Sequence, residues 1–118
     1  MPVRSLNSSV LKWPSKETVI SALKMWIRDY LGDDQGITEI ICIGSFARND
    51  WGPGSDLDLI IVMENNSLPF WQRSSQWDST IIPVPVDLRV YTRKEWENMQ
   101  KQEHRFWQTI KEEGMKVY

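Results

Sequence analysis

The stretch Ser55-Asp56-Leu57-Asp58-Leu59-Ile60-Ile61-Val62-Met63 reads as a β-strand with two unlike faces. Successive strand side chains point to opposite sides, so Asp56 and Asp58 share one side while Leu57 and Leu59 share the other and can enter a core. The stretch from Val84 to Tyr91 repeats the pattern as a third strand, with Val86, Leu88 and Val90 on one side and Asp87, Arg89 and Tyr91 on the other. If the two strands are neighbours, Asp56, Asp58 and Asp87 converge within a few ångströms.

Upstream, Ile37 to Ile43 is a short β-branched run and predicts a buried strand. Gly44-Ser45-Phe46-Ala47-Arg48-Asn49 follows it as a helix entrance, because Ser is a good N-cap and Gly permits the tight turn before it. Trp51-Gly52-Pro53-Gly54 cannot continue a helix and predicts a loop. Ser15 can cap a first helix whose apolar residues Val19, Ile20, Leu23, Trp26, Ile27, Tyr30 and Leu31 recur at helical spacing. Gly32 should end it, with a turn at Asp33-Asp34-Gln35-Gly36.

Thr92-Arg93-Lys94-Glu95 matches a capping box, and Trp96, Met99, Phe106, Trp107 and Ile110 continue a helical stripe up to Gly114. Residues 64–83 form a long connection bearing Trp71 and Trp77, of the kind that is functional or mobile in a compact domain. The predicted order is α-β-α-β-β-α: one α+β domain over residues 15–118, with a small mixed sheet flanked by helices, after an irregular lead-in at 1–14.

Three ionised carboxylates brought together repel one another, and their pKa values rise unless a cation sits among them. The ligands are all oxygens, which points to Mg²⁺ or Mn²⁺ rather than zinc. Two such ions would clamp the attacking and leaving oxygens of an in-line displacement at phosphorus. An Asp-x-Asp by itself reads more readily as a solvated face or an edge guard than as a metal site. The Gly44-Ser45 junction adds weight, because backbone N–H groups at a helix N-terminus beside a serine hydroxyl form a site for phosphate oxygens.

Bulk properties narrow the classes. The 118 residues fit one domain, and 41% hydrophobic content supports a core. A net charge of −2 argues against general nucleic-acid binding. Cys42 stands alone, which excludes an internal disulfide framework, and its apolar setting predicts a buried, inert thiol. Neither a signal-peptide core nor a membrane-length apolar run is visible, so a cytoplasmic protein with no membrane partner is expected.

Gly44-Ser45, ten residues, Asp56-Leu57-Asp58, and a later Val86-Asp87-Leu88 resemble the signature of the minimal nucleotidyltransferases, in the DNA polymerase β-like superfamily. The stretch Ile110 to Tyr118 is also similar to the family, and the resemblance covers roughly residues 15 to 118. It implies a polymerase β palm-like fold and transfer of a nucleoside monophosphate, usually AMP from ATP, to an acceptor hydroxyl. Asp56, Asp58 and Asp87 would then hold two Mg²⁺ or Mn²⁺ ions, with Asp87 also helping to deprotonate the acceptor. Gly44 and Ser45 would bind the triphosphate. Arg48, which matches the family's arginine after Gly-Ser-x-Ala, and Ser55 join the candidates for nucleotide binding, although an ion pair explains Arg48 as well.

Asn49 stands where many relatives have glycine, which predicts an altered turn with no ligand lost. The absence of a second domain implies that another chain, in a homo- or hetero-oligomer, completes the pocket. Such proteins commonly accompany a small helical HEPN-domain ribonuclease as its antitoxin, and some attach AMP to a tyrosine of that partner. Masking of a partner without catalysis is the alternative. A glycosyltransferase using Asp-x-Asp to hold Mn²⁺ would leave Gly44-Ser45 without a role.

Of the tryptophans, Trp26, Trp96 and Trp107 fit core stripes, whereas Trp51, Trp71 and Trp77 are placed to pack, stack on a base or anchor a partner. His104 lies in a polar run and reads as a surface residue, and Arg89 reads as a salt-bridge partner or a phosphate ligand.

Overall fold

The protein is described by a computed structural model over residues 13–31, 36–102 and 105–118, and for Tyr30 over the backbone alone. The expectations for residues before Trp13, for Gly32 to Gln35, for the Tyr30 side chain and for His104 lie outside these residues. The Ser15 side chain accepts the Thr18 N–H at 3.1 Å and opens helix α1, Lys16–Trp26. A π turn, Ile27–Leu31, continues it. Val19, Leu23, Trp26 and Leu31 are buried, and the five-residue step from Trp26 to Leu31 suits the wider π spacing.

Strand β1, Ile37–Ile43, runs antiparallel to β2, Leu57–Met63, and β2 runs parallel to β3, Val86–Thr92. A two-residue strand β4, Met115–Lys116, closes the order β3-β2-β1-β4, a mixed four-stranded sheet as expected. β4 was not foreseen, since two residues carry too little alternation to be read. β3 begins two residues later than expected because Pro83 and Pro85 lack the N–H a ladder needs; Pro85 supplies only its carbonyl, to the Leu57 N–H at 2.9 Å.

Both faces of the sheet are covered. Leu57, Leu59, Ile61 and Met63 face α1, Phe46 and Val84. Ile60 and Val62 face the other way, with Ile41 and Ile43, against Trp96 and Ile110. Each fully buried Leu, Ile or Val contributes about 1.5–3 kcal/mol. The alternation in β2 is therefore one of core against core, interrupted at its start by Asp58.

The capping box forms as expected: Thr92 Oγ1 accepts the Glu95 N–H and Glu95 Oε1 accepts the Thr92 N–H at 2.9 Å, opening α2, Arg93–Lys101. The predicted single C-terminal helix is two, with α3 at Arg105–Glu113. Gln102 caps α2, and α3 packs Ile110 with Ile41 and Ile43. Trp107 of α3 meets Trp96 of α2 edge to face, with ring centroids 5.4 Å apart. Among the described residues no helix is long and apolar enough to cross a membrane.

The 64–83 connection contains a 3₁₀ segment, Phe70–Gln76, fixed by a residue the sequence did not single out. The Arg73 side chain is 7% exposed and donates to Leu68 O, to Val90 O and to both Glu95 oxygens, at 2.6–3.1 Å. This guanidinium, first among the causes, holds the Glu95 carboxyl below its ordinary range. Arg73→Met should cost about 2–4 kcal/mol, since it strands two carbonyls and a carboxylate together. A depressed carboxyl pKa stabilises the fold above the ordinary carboxylate range and ceases to do so as pH falls through the folded value. Thermal melts should therefore show a steep acid limb in the parent and a shallower one in Arg73→Met.

Candidate active site

The parallel ladder pairs Asp58 with Asp87, so the two carboxylate-bearing residues lie side by side at the starts of β2 and β3. Asp56 lies one residue ahead of β2, exposed, and its charge reaches Asp58. Burial, then the Asp87 charge, push the Asp58 carboxyl above the ordinary range; Asp56 adds to this, while Arg89 and Arg48 oppose it.

Gly44 ends β1 beside this pair, because Ile43 is the register partner of Asp58. Its φ is 79°, and a Cβ built there would fall 3.3 Å from Asp58 Cγ and far closer to Oδ2. The absence of a side chain at Gly44 is therefore what gives the Asp58 carboxylate its place. Ser45 is half-buried, and its hydroxyl makes no hydrogen bond among the described residues.

The expected helix after Ser45 is a single turn, held by Arg48 N–H to Gly44 O and Asp50 N–H to Ser45 O, both 3.0 Å. Asn49 stops it at φ 66°. Little macrodipole accumulates over one turn, so an anion here would rely on Ser45 and the local N–H groups. The Asn49 side-chain oxygen accepts from Lys16 Nζ, and Lys16 lies 5.2 Å from the Phe46 ring centroid, so the start of α1 braces the turn. No sequence signal links Lys16 to a residue 33 positions away.

The remaining candidates have local duties. Arg48 binds Asp50 at 3.3 Å and Glu113 at 3.2 Å, tying the turn to the end of α3. The Ser55 hydroxyl accepts the Gly52 N–H at 3.2 Å within its own turn. Trp51 packs edge to face on Phe46 at 4.9 Å, and Trp77 packs against the core. Trp71 alone of the three stands clear, at 78% exposure. Cys42 is buried, with burial first among the causes that push its thiol up to about 12, so it is inert at neutral pH.

Among the described residues no three His, Cys, Asp or Glu side chains are gathered closely enough to hold an ion as they stand. The backbone positions of Asp58 and Asp87 suit a shared hard cation, and the repulsion raising Asp58 is what such a cation would relieve. The Asp87 side chain, however, turns to Arg89, with Oδ2 3.5 Å from Nη2.

No curated protein matches the chain in sequence. A solved Sulfolobus solfataricus structure, assigned as a nucleotidyltransferase, resembles it with a TM-score of 0.47 and 20% identity over 70% of this chain and 71% of that one. The nucleotidyltransferase domain family matches residues 24–114, a span that holds Gly44, Ser45, Asp56, Asp58 and Asp87, and the chain belongs to that family.

Proposed function

We propose that this protein transfers AMP from ATP, with Mg²⁺, to a hydroxyl of a separate protein, a tyrosine of a HEPN-type toxin for which it is the antitoxin. The observation that carries the catalytic part is the packing of the Gly44 turn against Asp58, itself paired with Asp87. Asp56, Asp58 and Asp87 would hold the metal, which supplies charge neutralisation at the phosphates. Gly44 leaves room beside Asp58, and the Ser45 hydroxyl, which makes no hydrogen bond among the described residues, would donate to a phosphate oxygen. Asp87, the more exposed partner, accepts the acceptor's proton as its oxygen bonds to the α-phosphorus and the bond to pyrophosphate breaks.

The acceptor is assigned to a protein hydroxyl on the resemblance to the minimal nucleotidyltransferases. Incubation with α-labelled ATP, Mg²⁺ and the protein encoded beside it should label that partner and release pyrophosphate. An unlabelled partner that is nonetheless neutralised, equally by an Asp58→Asn variant, would overturn transfer in favour of masking. The exposed Phe70, Trp71 and Ile81 of the 64–83 connection are what that second reading would use.

A further inference from the structure

The carboxylate face carries a cation of its own. Arg89 follows Asp87 by two residues on β3, so it projects from the same face, one step along the ladder opposite Ile60. Its Nη2 is 3.5 Å from Asp87 Oδ2, and its Cζ lies 5.2 Å from the centre of the Phe106 ring. The pair is open to solvent, with side-chain exposures of 41% for Arg89 and 51% for Asp87, so it is loosely held. Arg89 also attracts Asp58. Arg48, the other arginine whose charge reaches Asp58, is committed to Asp50 and Glu113.

We propose that Arg89 is the resident counter-ion of the Asp58–Asp87 pair, that it yields Asp87 to the metal, and that from its seat on Phe106 it then binds a phosphate of the nucleotide. The proposal rests on the reading of Asp58 and Asp87 as metal-holding residues. With a divalent ion held by Asp87, the guanidinium would be repelled and would give up the oxygen it was using. The incoming triphosphate offers oxygens in return, and a guanidinium can bind two of them at once while its face stays on an aromatic ring. A lysine could oppose the metal, but its ammonium has no planar fork with which to bind two phosphate oxygens while a flat face stays on the ring. The same side chain would thus oppose the metal before the nucleotide arrives and support the nucleotide afterwards.

Those two duties have opposite signatures in binding. Calorimetric titrations with Mg²⁺ alone and with Mg²⁺–ATP, on the parent, Arg89→Met and Arg89→Lys, separate them from a merely structural role. Arg89→Met should bind Mg²⁺ alone about twofold to fivefold more tightly, having lost the competing cation, and Mg²⁺–ATP about tenfold more weakly. Arg89→Lys should keep the parent's Mg²⁺ affinity and fall between the two for Mg²⁺–ATP. Phe106→Leu should leave Mg²⁺ affinity unchanged and weaken Mg²⁺–ATP, by less than Arg89→Met does. Constants that move in the same direction, or do not move, overturn the role of Arg89 while leaving the metal site standing. A parent protein that binds neither Mg²⁺ nor Mg²⁺–ATP overturns both.

Discussion

Asp58→Asn is expected to raise the melting temperature of the ligand-free protein while reducing transfer by roughly 10³-fold or more. The Asp58 carboxyl is pushed up by burial and by Asp87, so the folded chain holds its proton more tightly than the unfolded chain does. The contribution of this one group to stability is most favourable below the ordinary carboxylate range and is lost as pH rises through the folded value. Asn removes the charge at nearly constant shape. Like charges opposed across a ladder cost a few tenths to about 1 kcal/mol, so the gain should be roughly 1–5 °C. Mg²⁺ should supply the same relief to the parent and none to the variant. Thermal melts from pH 4 to 8, with and without Mg²⁺, check each part. A variant that melts lower than the parent at neutral pH would show that Asp58 is structural.

Gly44→Ala should be damaging in both respects. The backbone there is left-handed, a conformation that costs an L-residue about 1–2 kcal/mol, and the new methyl would occupy the space of the Asp58 carboxylate. A total loss of about 2–4 kcal/mol is expected, together with loss of Mg²⁺–ATP binding, because the carboxylate must move. Gly54→Ala is the matched control: φ is 84° there, but nothing lies within 4 Å of an added Cβ. It should lose only about 1 kcal/mol and keep its binding. Equal effects of the two substitutions on Mg²⁺–ATP affinity, measured by calorimetry, would show that the Gly44–Asp58 contact has no special part.

What the sequence made legible is local. The Ser15 cap, the Thr92–Glu95 box and the alternation through Leu57 to Met63 follow from neighbours within a turn or two along the chain. The pairing of Asp58 with Asp87 needed more, since a parallel register is set across 28 intervening residues and by where Pro85 stops the ladder. Nothing in the sequence showed that both faces of β2 would be covered, because an Ile60–Val62 face beside two aspartates reads as easily as a solvated one. The turn after Ser45 was overread as a helix: Asn49, in a left-handed conformation, ends it after one turn. Arg73 and Lys16 were invisible for a common reason. Each is a polar residue in a polar segment, and its partners, Val90 with Glu95 and Asn49, are far away in the chain. Strand alternation put Asp87 and Arg89 on one face and offered Arg89 as a salt-bridge partner, and the structure pairs Asp87 with Asp58 along the ladder and with Arg89 through its side chain.

On the proposed function, Gly44, Asp58 and Asp87 form one metal–triphosphate site. Calorimetric titration of ATP into the parent and into an Asp58→Asn, Asp87→Asn double variant, each with Mg²⁺ and with a chelator, tests it most directly. Tight binding only for the parent, and only with Mg²⁺, is the predicted result. ATP binding that persists undiminished in the double variant, or that is unchanged by the chelator, would contradict it.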